Sequence, residues 1–78
     1  MTDATDHLDV ARLQHLKTMR DEAFARCFQH THPGNLTPAE QQAWEMDDRA
    51  LWLMAEAADL RFQAALELNA LLAHERAA

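Results

Sequence analysis

Cysteine is almost missing from this chain of 78 residues: Cys27 stands alone, so no disulfide can form within it. A single thiol suits a reducing interior better than a secreted, cross-linked scaffold. Glycine occurs once, proline twice and tyrosine not at all. That scarcity leaves no phosphate-cradling glycine loop and, with an Ala- and Leu-rich composition, points to an all-α fold. Basic residues are also few, seven against 13 acids for a net charge of −6. Direct binding to nucleic acid or to an anionic membrane surface needs the opposite balance. The first nine residues are polar and acidic, with no apolar core of a signal peptide. The longest apolar run, Ala50 to Ala55, is far too short for a bilayer span. The expectation is a soluble, cytoplasmic protein with no membrane partner.

A chain this short buries only about 60% of the surface it exposes when unfolded, so its own core is thin. Small domains usually gain stability from disulfides, a metal or another chain. With disulfides excluded, association is the expected source.

What the sequence does contain is a long helical pattern. His32-Pro33-Gly34-Asn35 breaks the chain, because the residue before proline resists helix and Gly and Asn suit a turn. Thr37-Pro38-Ala39-Glu40 follows, a capping box with proline at the first helical position. The single domain 1–78 is therefore expected to hold helix one over about 6–31, a turn over 32–37, and helix two over about 38–76. Thr5 is the expected N-cap of helix one, with Asp6 and Asp9 complementing the helix dipole. Its apolar stripe comprises Leu8, Leu13, Leu16, Met19, Ala23, Phe24, Cys27 and Phe28, with Arg20 falling inside it.

A short connection makes the two helices antiparallel neighbours. Counted outward from a tight turn, facing residues have numbers adding to roughly 68. Phe24 then lies near Trp44, Leu16 near Leu51 and Trp52, Leu13 near Met54 and Leu8 near Leu60. Arg20 falls beside Asp47 and Asp48 as a half-buried ion pair, and helix two overhangs helix one beyond about Phe62.

Helix two carries two apolar seams. In one, Ala43, Ala50, Ala57 and Ala64 recur every seven residues with Leu71 next in the series, and Met46, Leu53 and Leu60 follow three residues after the first three alanines. This is an a/d heptad whose small residues permit close helix approach. The other comprises Leu51, Met54, Ala58, Ala65 and Leu72, interrupted by Arg61. A hairpin needs one seam, and a second left bare is an aggregation liability. The expected fold is thus an all-α antiparallel hairpin with a long second helix, forming a homodimeric four-helix bundle. The alanine seam, with Leu68, is expected to be the interface.

Cys27, His30 and His32 are the candidate metal ligands, since thiolate and imidazole both bind zinc. No fourth ligand is near in sequence, and a free cysteine on an apolar stripe also reads as a small hydrophobe. No cofactor is expected. No Ser/His/Asp or Cys/His arrangement can be placed in a cleft, so the chain reads as a non-enzyme. Trp52 falls outside both seams among Glu45, Asp48, Glu56 and Asp59, where it is either an interface anchor or a cover over helix one. The acidic face of Glu45, Asp48, Glu56, Asp59 and Glu67 is either a solvated surface or a site for a basic partner.

In outline the chain resembles the Rop-type RNA-binding dimer and the small co-chaperone hairpins of type III secretion, in architecture and without a shared motif. RNA binding in the Rop manner would need a basic face on helix one, whereas Arg12, Lys17 and Arg26 are scattered around it. The function expected is a protein–protein interaction module, such as an adaptor, co-chaperone or small inhibitor, binding through the seams of helix two. The alternatives are an acidic inhibitor or mimic acting on a nucleic-acid-handling protein, and a small metal-responsive regulator.

Overall fold

In a computed structural model the capping box forms as its residues dictate. The Glu40 backbone N–H donates to Thr37 Oγ1 at 3.2 Å, and the Thr37 N–H donates to Glu40 Oε1 at 3.1 Å. From that cap helix α2 (Pro38–Ala77, 40 residues) runs without interruption. Helix α1 (Asp3–Gln29, 27 residues) packs antiparallel beside it. The structure describes residues 3–77, and the side chains of residues 10–76. Among them there is no strand, and the architecture is an all-α helical hairpin measuring 61 × 16 × 12 Å. No helix is long and apolar enough to cross a membrane among the described residues.

Hydrogen bonding to the Thr37 hydroxyl, and next to the Thr37 backbone N–H, holds the Glu40 carboxyl below its ordinary value of 4.5. Because the folded value is the lower one, this contribution is complete above about pH 4.5 and is lost as pH falls through the folded value. Glu40→Gln, which can retain the box, is expected to flatten that acid limb. Thr37→Ala should lower stability by about 1 kcal/mol at neutral pH. Urea titrations across pH 3–7 check both, and unchanged midpoints would show that the cap contributes nothing.

The helix starts and stops depart from the sequence reading at α1. Its backbone is already helical at Asp3, ahead of Thr5, and it ends at Gln29 rather than residue 31. The side chains of Thr5, Asp6, His7, Leu8 and Asp9 lie outside the described residues. The early end has a local cause. The Thr31 carbonyl accepts a hydrogen bond from Trp44 Nε1 at 3.1 Å, and the His30 ring stacks on the Trp44 ring at 4.7 Å. The His30 N–H still bonds the Arg26 carbonyl at 3.1 Å, but its ring and the Thr31 carbonyl are turned toward α2.

The larger correction is the register. The connection is not a tight turn: residues 30–33 climb past the end of α1 along the first turns of α2. His32 bonds Gln41 there, with its Nδ1 accepting from the Gly34 N–H at 3.0 Å. The chain reverses at Gly34 and Asn35, whose φ angles of 82° and 52° are left-handed values that Gly and Asn tolerate best. An extended residue advances about 3.3 Å against 1.5 Å in a helix. The climb therefore shifts the helices by about ten residues, near three turns, from the tight-turn pairing.

The facing pairs among the described residues change accordingly, and the expected Leu8–Leu60 pair lies outside them. Phe24 meets Trp52, not Trp44. Leu13 lies by Ala65, Leu68, Asn69 and Leu72 rather than Met54, so α2 is covered well beyond Phe62. Arg20 is not beside Asp47 or Asp48. Its guanidinium bonds Asp21 at 3.0 Å, comes within 3.9 Å of Asp59 and lies 4.6 Å over the Phe62 ring.

The core is made largely of small side chains. Ala23 and Cys27 of α1 meet Ala55 of α2, with Phe24, Leu51 and Ala58 packed around them. Ala55 is 0% exposed, and Leu16 and Ala65 are also buried. The inward positions of α2 run Trp44, Asp48, Leu51, Ala55, Ala58, Phe62, Ala65, Asn69 and Leu72, each buried or half-buried. Those of α1 run Leu13, Leu16, Arg20, Ala23 and Cys27, with His30 continuing the spacing just past its end. Both are unbroken alternations of three and four residues, the spacing that keeps one helix face on its partner. Met54 and Arg61, assigned to this seam from sequence, lie outside it and are exposed. Met19 and Phe28 likewise leave the expected α1 stripe, Phe28 at 72% exposure.

Candidate interaction surface

The inward seam of α2 uses one side of the helix, and this settles where the alanine heptad lies. Ala43, Met46, Ala50, Leu53, Ala57, Leu60, Ala64, Leu68 and Leu71 are all exposed. Met46 and Leu60 are each 65% exposed and Leu53 is 58%. From Ala43 to Ala64 no charged residue interrupts the two rows. The alanine seam is therefore not the hairpin's own contact. Along one edge of this strip, Met19, Ala23 and Arg26 of α1 and Met54, Ala57, Ala58 and Arg61 of α2 line a shallow groove of about 230 Å³.

The whole chain exposes 6248 Å². A compact folded monomer of 8.9 kDa would expose roughly 4,800 Å², so the hairpin carries a surplus of roughly 1,400 Å². Contiguous apolar strips on the surface of a small protein mark places where something else binds.

Trp52 lies on the neighbouring side, packed edge-on against Phe24 (6.0 Å between centroids) and Phe28 (5.6 Å). It is at once a cover over α1 and 36% exposed. The Leu16 contact expected for it is replaced by this aromatic group, a consequence of the register shift.

The acids do not form one solvated stripe. Asp48 is half-buried with its carboxylate 3.3 Å from His30 Nδ1, and Asp59 is half-buried between Arg20 and the side-chain amide of Gln63. Glu45, Glu56 and Glu67 are exposed, Glu45 accepting a hydrogen bond from Gln41.

Cys27, His30 and His32 are not brought together. The Cys27 thiol is buried and donates to the Ala23 carbonyl at 3.4 Å. His30 is sandwiched between Trp44 and Asp48, and His32 bridges Gly34 and Gln41. Among the described residues no three metal-binding side chains converge.

Two features escaped the sequence reading. The exposed Phe28 was hidden by its place next to Cys27 on a broad apolar arc, although strict three-four spacing from Leu13 excludes it. The Trp44–His30 lock was hidden because aromatic stacking across a connection leaves no periodic trace. No family model, curated protein or solved structure matches the chain.

Proposed function

We propose that this protein is a non-enzymatic protein–protein interaction module that binds through the outward seam of α2. The observation that carries this reading is the row Met46, Leu53 and Leu60, each more than half exposed on a strip without charges. Burying a leucine of this kind against a partner contributes about 1.5–3 kcal/mol, so a seam of three with intervening alanines can support specific association. The acidic reading has less support, since Asp48 and Asp59 are engaged within the hairpin.

Affinity capture from the native host, with mass and stoichiometry measured on the complex, tests the proposal. The wild-type chain is expected to retain a stoichiometric partner. The variant Leu53→Glu/Leu60→Glu should lose it while keeping its helicity. Capture that is unchanged in the variant, or absent with the wild type, would overturn the reading.

A further inference from the structure

Between Ala43 and Ala64 four charged residues border the outward seam: Asp47 and Arg61 on one flank, Arg49 and Glu56 on the other. All four are exposed, and none makes an ion pair within the chain among the described residues. Their placement is self-complementary. On the first flank an acid precedes a base, and on the second a base precedes an acid. The pair midpoints fall at Met54 and between Trp52 and Leu53, less than two residues apart.

From this we infer that the occupant of the outward seam is a second copy of the chain, lying antiparallel about a twofold axis near Leu53–Met54. The inference rests on the reading of this seam as an interface and names its partner. With that axis, Arg49 of each copy faces Glu56 of the other, and Asp47 of each faces Arg61 of the other. One rotation thus pairs all four residues of each copy, giving four ion pairs in the dimer, and it sets Met54 of one copy beside Met54 of the other. Ala50 of each copy falls level with Ala57 of the other, and two small residues at one level allow the axes to approach toward the short end of the usual 8–10 Å.

Other arrangements lose this match. An antiparallel slide of one heptad (seven residues) toward the C-terminus sets Glu56 against Glu56. A parallel pairing keeps Glu56 opposite Arg61 but leaves Asp47 and Arg49 facing uncharged residues. Charge complementarity selects orientation and register, while the apolar rows supply the contact. The area also suffices: each partner in a standard interface buries about 800 Å², within the surplus of roughly 1,400 Å². Leu71 extends past the start of the second copy's α2.

Sedimentation equilibrium of the purified chain tests this, with circular dichroism on every variant. The wild type is expected to be a dimer at micromolar concentration, weakening as salt is raised. Glu56→Arg should raise the dimer Kd by about tenfold, since two like-charge contacts replace two ion pairs. Arg49→Glu/Glu56→Arg should restore it. Met54→Cys should give a disulfide-linked dimer on mild oxidation, and Leu71→Cys should not. A monomeric wild type would overturn the inference while leaving the capture result for another partner intact. A Glu56→Arg defect rescued by Arg61→Glu instead of Arg49→Glu, or self-cross-linking at Leu71→Cys, would overturn the antiparallel register.

Discussion

Ala55→Leu is expected to unfold much of the hairpin, whereas the same substitution two residues on, Ala57→Leu, should leave it folded. Ala55 is fully buried against Ala23 and Cys27, where the helices approach through small side chains. A leucine there must push the helices apart or adopt a strained rotamer. Overpacking of this kind costs about 1–3 kcal/mol, occasionally more. For a chain of this size each kcal/mol moves Tm by about 4–8 °C, so a fall of about 10 °C or more is expected. Ala57 is exposed on the outward seam, at the open groove beside α1, where a surface substitution stays within about 0.5 kcal/mol. Its effect should appear in association, because a larger side chain blocks close approach of a second helix. Thermal melts by circular dichroism, read beside sedimentation, separate the two. Loss of folding at Ala57→Leu would return the alanine seam to the hairpin and remove the functional proposal.

Trp44→Ala should be the most damaging change at the connection, at about 2–3 kcal/mol for a half-buried aromatic. It removes the stack on His30, the edge contact with His32 and the hydrogen bond to the Thr31 carbonyl together. These contacts hold residues 30–33 against α2, so their loss should raise amide exchange through the connection. Trp44→Phe keeps an aromatic ring for stacking but loses the N–H and part of the indole, and should cost less, about 1 kcal/mol. Equal destabilisation by the two variants would show that the hydrogen bond alone holds the segment. No change in either would mean that the register is set elsewhere.

The all-α character and the start of α2 could be read without coordinates because both are local. Scarce glycine and proline, the Thr37–Glu40 box and the Pro33-Gly34-Asn35 break each act within a few residues. The two seams of α2 were also visible as periodicity, although Met54 and Arg61 were assigned inward and Ala55 and Phe62 overlooked. Arg20 looked misplaced on an apolar stripe until the structure set its guanidinium over Phe62, where an aromatic face and Asp59 accept a cation in the seam.

Sequence by itself determined that this chain makes two amphipathic helices joined by a break, one of them with more apolar surface than its neighbour can cover. Only the tertiary structure decided the register and, through it, which seam faces outward. Periodicity shows which residues share a helix face, and it is unchanged when one helix slides along another by whole heptads. The slide is fixed by a climbing connection and a His30–Trp44 stack, contacts between residues 14 apart that no repeat encodes.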